Sequence, residues 1–314
     1  VISEEDAGAA RRFTLRQGPL VLDWNDTYVE ASGPAPFWPR LEFSTAGSWG
    51  EVAAAYANLV EPTIRPDEVR QLLPADLPAD TRQRITRLLG ILHERVRYTG
   101  VFFGQGDIVP NAPSVTLERR FGDCKDKSVV LASLLRAAGV PAHVVLLKSG
   151  VGTDVNPEVP GIGSFNHMIV HVPGEGLWLD ATAEFLGASD APYENSGRWA
   201  LVIGAPEHSL MQTPAAQPAG SREVEQRIVR LADIGPGEVQ VLTRINGSDA
   251  AVYRQLADRD SKEHREDLLE QFRESFSAKS VSGFEVREDA AHGGVSIAVD
   301  LHHVEAAATN LQES

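Results

Sequence analysis

The strongest constraint on this sequence is the stretch from Val129 to Leu147, which is mostly apolar but is broken by Arg136, Gly139 and Pro141. A membrane-spanning helix needs about 20 uninterrupted apolar residues, so this stretch has to be buried by protein instead. Val130, Leu131, Leu134, Leu135 and Ala138 recur at helical spacing and define a buried face. Gly139 suits the residue just past a helix end, and Pro141 forbids continuation. At the other end, Asp123 is placed to cap the helix by accepting from the amides of Lys125 or Asp126. Ala142 to Lys148 then reads as a strand.

The chain has 314 residues, which suggests about two domains. Residues 1–45 are strand-like and proline-rich, too short for a core of their own. Residues 46–205 form the central unit. Trp49, Val52, Ala53, Tyr56, Leu59 and Val60 predict a helix from Ser48 to Pro62. A second helix starts near Asp80, with Ile85, Leu88, Leu89, Leu92 and Val96 on one face. A loop rich in Gly and Pro, 100–114, leads to the Asp123 helix. Residues 206–221, with Pro206, Pro214 and Pro218, read as a linker. Residues 222–314 read as an accessory α+β unit: strands at 225–232 and 237–245, a polar helix at 249–276, and strands at 284–289 and 295–304. The fold class is therefore α+β.

With 29 Lys and Arg against 44 Asp and Glu, the formal charge is −15. That field repels phosphate backbones and anionic lipid, which argues against nucleic acid as a partner and against direct membrane insertion. A single cysteine excludes an internal disulfide framework and any multi-cysteine metal site, and no cofactor is expected. The sequence starts at Val1 with no signal peptide, so it reads as part of a longer chain whose targeting segment lies outside it.

That one cysteine, Cys124, falls at the first position of the capped helix. Helix N-termini carry about half a positive charge and unpaired amides, which favour a thiolate and can bind a developing oxyanion. Lys125 and Lys127 add positive potential. A buried, inert cysteine is the competing reading. The downstream strands favour chemistry. His167 to Val172 and Leu177 to Ala181 flank Pro173-Gly174-Glu175-Gly176, a turn sequence. Taking Gly174-Glu175 as a two-residue loop pairs Met168 with Ala181, Val170 with Leu179, and Val172 with Leu177, an entirely apolar face. The other face then carries His167, Ile169, His171, Trp178, Asp180 and Thr182, with His167 and Asp180 as diagonal neighbours. A cysteine nucleophile, a histidine base and an orienting aspartate are what acyl transfer requires. His171 is the competing base, but it lies opposite Trp178. Gln105 is a candidate side-chain donor to an oxyanion, and Asp126 and Asn166 are candidates for supporting roles. His302 and His303 point to opposite faces of a strand and cannot chelate together.

Arg120-Phe121-Gly122-Asp123-Cys124-Lys125-Asp126-Lys127, the helix through Leu135, Arg136-Ala137-Ala138-Gly139-Val140-Pro141-Ala142, Asn166-His167 and Trp178-Leu179-Asp180-Ala181-Thr182 together resemble the transglutaminase-like superfamily of papain-like thiol enzymes. The resemblance covers roughly residues 48–205. It implies a nucleophile helix packed on an antiparallel sheet, with Cys124, His167 and Asp180 as the triad. It also implies that residues 1–45 end a truncated β-rich domain and that the full protein, of a bacterial branch, works in the periplasm or cell envelope. The expected partner is a protein or peptide substrate. Cross-linking, deamidation and proteolysis stay open, as does a catalytically silent peptide-binding module of the same fold.

Overall fold

The computed structural model describes residues 2–8, 10–16, 18, 41–100, 108–150, 152–186, 192–205, 210–216, 222–233, 235–251, 253–254, 262–289 and 294–305. The strand-like runs at 20–22 and 27–29 lie outside these residues. Strands β1 (Ile2–Asp6) and β2 (Arg11–Leu15) form an antiparallel hairpin.

Helix α1 (Trp49–Val60) begins at Ser48, whose hydroxyl accepts from the Glu51 amide at 3.2 Å. It buries Trp49, Ala53, Tyr56 and Val60. Two short helices to which the sequence pattern assigns no element each start with proline at the first helical position. They are α2 (Pro66–Val69) and, beyond α3 (Thr81–Arg95) and β3 (Arg97–Tyr98), α4 (Pro113–Arg119). Strand β4 (Phe121–Gly122) pairs in parallel with β3 and delivers the chain to helix α5 (Cys124–Ala137).

Helix α5 is the centre of the molecule. Every residue from Lys125 to Leu135 is buried, because α2, α3 and α4 cover it on some sides and the sheet covers it on another. A helix wrapped on all sides has no polar stripe to spare, which explains why its sequence is so apolar. Its C-terminus is a Schellman motif. Gly139 adopts φ 76°, its amide donates to Arg136 O at 3.1 Å, and the Val140 amide donates to Leu135 O at 2.9 Å.

Five antiparallel strands follow: β5 (His143–Leu147), β6 (His167–Val172), β7 (Leu177–Leu179), β8 (Trp199–Val202) and β9 (Leu210–Gln212). Their spatial order is β7-β6-β5-β8-β9. Strand β9 lies within the stretch expected as a linker; it extends the sheet by pairing with β8. The β6–β7 register pairs Val170 with Leu179, His171 with Trp178 and Val172 with Leu177, as the apolar matching predicts. The turn differs from expectation. Pro173–Glu175 form a 3-10 turn and Gly176 closes it at φ 63°, so four residues link the strands instead of two. The pairing sum is unchanged, so the faces are the same.

Met168, Val170, Val172, Leu177 and Leu179 join the helices in the main core. Val145, Leu147, Ile169, Trp178, Ala200 and Val202 form a smaller cluster on the other side of the sheet. Both faces are therefore buried near the hairpin, which leaves polar side chains only where they have partners. Strands β10 (Glu223–Arg230), β11 (Gly237–Asn246), β12 (Ser280–Asp289) and β13 (Gly294–Val304) build a separate antiparallel sheet in the order β10-β11-β13-β12. With the helix Lys262–Ser275 it forms its own core around Val239, Val241, Ile297 and Val299.

Candidate active site

The first turn of α5 is held by its cap. Asp123 Oδ1 accepts from the amides of Lys125 (2.9 Å) and Asp126 (3.1 Å), and Lys125 Nζ donates to Oδ2 at 2.6 Å. With the carboxylate and the lysine both inside, burial opposes the ammonium and Asp123 more than offsets it, so the Lys125 pKa is raised. Asp126 points the other way. Its Oδ1 accepts from the Asn111 amide at 2.8 Å, and Asn111 Nδ2 reaches both of its oxygens at 3.2 Å. A Cβ on Gly122 would lie 2.7 Å from Asp126 Cβ, so only glycine allows this close passage beneath the cap. The result is a rigid N-terminus with Cys124, half-buried, as its first helical residue.

His167 opens β6, where the preceding Asn166 is pinned to Ser149 by two hydrogen bonds: the Ser149 amide donates to Asn166 Oδ1 (2.7 Å) and Asn166 Nδ2 donates to Ser149 O (2.9 Å). Its Nε2 meets Asp180 Oδ2 at 2.7 Å. That leaves Nδ1 for a second partner, and Cys124 acts on the charge of the same ring. The three residues singled out from the sequence are thus neighbours in space. Burial alone would lower the His167 pKa; the hydrogen bonds to Asp180 and Cys124 win and raise it to about 10.

Asp180 sits one residue past β7 and is almost fully enclosed. Burial would raise its pKa, but His167 and the donors of Thr182 hold it down at about 2. Oδ1 accepts from Thr182 N (2.8 Å) and Thr182 Oγ1 (2.6 Å), while Oδ2 accepts from Asn195 Nδ2 (2.7 Å) as well as from His167. Asn195 is 2% exposed, and its Oδ1 is a buried oxygen without a hydrogen-bond partner among the described residues. The sequence offered no signal for Asn195, because it ends a single 3-10 turn, Tyr193–Asn195, too short to show periodicity. His171, the rival base, stacks on Trp178 with ring centroids 4.3 Å apart. Burial and the nearby His143 lower its pKa. Gln105 lies outside the described residues.

The linked shifts of His167 and Asp180 give a pH signature. Asp180, held below its ordinary 3.8, contributes stability above that value and loses it as pH falls toward 2. His167, held above its ordinary 6.5, contributes below that value and loses it as pH rises toward 10. Their joint stabilisation is therefore complete between about pH 4 and 6.5. Thermal unfolding of the wild type against His167→Gln should show its widest gap in that window. A gap that continues to grow above pH 7 would contradict the pairing.

The cysteine begins a central helix, and the histidine–carboxylate pair lies on the antiparallel sheet packed against it. Residues 73–183 match the model of the transglutaminase-like superfamily. Asn195 lies beyond the matched span. Among solved structures, the chain is similar to a "putative protease" from Parabacteroides distasonis, with TM-score 0.48, 12% identity and coverage of 96% of this chain and 62% of that one. It is also similar to a "putative cysteine protease" from Cytophaga hutchinsonii, with TM-score 0.28, 18% identity and coverage of 38% of each chain. The chain thus spans less than two thirds of the length of the first of these. No curated protein matches the chain.

Proposed function

We propose that this protein is a cysteine-dependent enzyme acting on protein or peptide amides by acyl transfer or hydrolysis, with Cys124, His167 and Asp180 as its triad. The observation that carries this reading is the 2.7 Å hydrogen bond from His167 Nε2 to Asp180, which leaves the other ring nitrogen for Cys124, whose sulfur acts on the charge of that ring. In the first step the sulfur, its proton already on the imidazolium of His167, attacks the amide carbonyl. The C–N bond breaks, the amine leaves with the proton from His167, and a thioester remains on Cys124. In the second step His167 deprotonates the acceptor, which attacks the thioester and releases the thiol. An amine acceptor gives a new amide; water gives a carboxylic acid. The Cys124 amide, at the start of α5, is one donor to the oxyanion. An envelope or periplasmic setting is part of the same proposal.

The test is labelling with a thiol-directed probe, followed by a screen of glutamine-containing peptides with amine and water acceptors. Covalent labelling of Cys124 with turnover of at least one peptide supports the reading. Labelling without turnover on any amide supports a silent binding module instead. The choice of base is tested in the same assay. His167→Ala should cost on the order of 10²–10⁴-fold in rate, the usual size of general acid–base catalysis. His171→Ala, which removes a ring stacked on Trp178, should cost far less. The reverse ranking would assign the base to His171.

A further inference from the structure

Lys127 lies one turn into α5 and has no exposed surface, one of the largest fully buried side chains among the described residues. Its Nζ donates to the carbonyl of Val96 at 2.7 Å. Val96 caps α3 through its amide to Leu92 O, and the next two residues are β3. That strand brackets the site: Arg97 N donates to Arg120 O (3.0 Å) and Thr99 N donates to Gly122 O (2.9 Å), immediately before Asp123 and Cys124. The lysine therefore spans from the nucleophile helix to the strand running beside its N-terminus.

A buried ammonium is expensive unless opposite charge compensates it. Two carboxylates from the segment after β7, Glu184 and Asp180, act on its charge. From α3 comes His93, whose Nε2 lies 3.2 Å from Ala181 O. Burial, and then the charge of Lys127, push His93 down to about 4, so its ring is neutral there. On its own helix Asp123 and Lys125 satisfy each other, and Asp126 is held by Asn111. Around Lys127, two cations, Lys127 and His167, thus stand against buried Asp180 and half-buried Glu184. A backbone carbonyl alone could be satisfied by a neutral donor; a lysine at this point is explained by the carboxylates.

We propose that Lys127 is a positioning residue, whose buried ammonium ties the Val96 carbonyl to the Cys124 helix and supplies the counter-charge behind Asp180. The proposal rests on the triad reading above, but its test does not need turnover. Burial lowers the Lys127 pKa to about 8, with Glu184 and Asp180 opposing the shift. In the wild type, ring ¹⁵N signals of His167 should show a step centred near pH 8, as the ammonium behind Asp180 loses its charge. In Lys127→Arg, where the charge persists, that step should vanish while iodoacetamide alkylation of Cys124 at pH 7 stays within about twofold. Lys127→Met should also lack the step, and its alkylation should fall about tenfold, as expected where a buried carbonyl is left unpaired. No step near pH 8 in the wild type overturns the proposal even if both variants fail to fold. A folded Lys127→Met that alkylates like the wild type overturns it too. A wild type that passes both tests yet turns over no amide overturns the proposed enzyme and supports the role of Lys127.

Discussion

Cys124→Ala should lower amide turnover by on the order of 10⁶-fold, the loss seen when a triad enzyme is stripped of its nucleophile. It should also abolish covalent labelling. No other thiol exists in the chain to substitute. The fold should survive, because nothing in the cap depends on the sulfur. The first turn is closed by Asp123, Lys125 and Asp126, and the helix is held by its buried residues from Lys125 onward. Cys124 itself is only half-buried against the core. Removing one sulfur there deletes little packed surface compared with a core truncation, which costs about 2–5 kcal/mol. Far-ultraviolet circular dichroism and the unfolding midpoint should match the wild type closely. An alanine variant that is folded and still turns over substrate would place the chemistry elsewhere in the molecule.

Legibility in the sequence followed how local the determining physics was. The Asp123 cap and the Gly139 stop lie within one helix, so their donors and acceptors can be counted along the chain. The β6–β7 register was readable because apolar pairs match in only one alignment; the wrong turn length did no harm, since the pairing sum was the same. Helices α2 and α4 were missed because Pro66 and Pro113 look like loop signals when they stand at the first helical position. Strand β9 was hidden by its three-residue length and by the prolines around it. The two buried polar residues were the hardest. Lys127 reads as a solvated charge until α2, α3, α4 and the sheet close over the helix. Asn195 has meaning only through Asp180, fifteen residues away.

Asp180→Asn should lower turnover on the order of 10⁴-fold while leaving the protein folded, as the same exchange does in serine proteases. Four donors converge on Asp180: the His167 ring, the Asn195 amide group, and the amide and hydroxyl of Thr182. An asparagine can turn its single oxygen to the Thr182 side and keep both of those bonds. Its NH2 group then faces His167 Nε2 and Asn195 Nδ2, where an acceptor stood. Asn195 can relieve its share of the clash by rotating its amide, because its own Oδ1 is buried without a partner among the described residues. His167 can relieve its share only by becoming the acceptor at Nε2. The ring, doubly protonated beside Asp180, then becomes neutral with its single proton on Nδ1, the nitrogen left for Cys124, and a nitrogen that already carries a proton cannot take one from the thiol. The loss is therefore one of tautomer and charge, while the packing is kept. Two measurements separate this account from simple destabilisation. Circular dichroism at pH 8 should match the wild type, whereas ¹⁵N spectra should show the His167 ring, doubly protonated in the wild type, neutral with its single proton on Nδ1. A slow variant whose ring stays doubly protonated would contradict this account, and a fast variant would remove Asp180 from the triad.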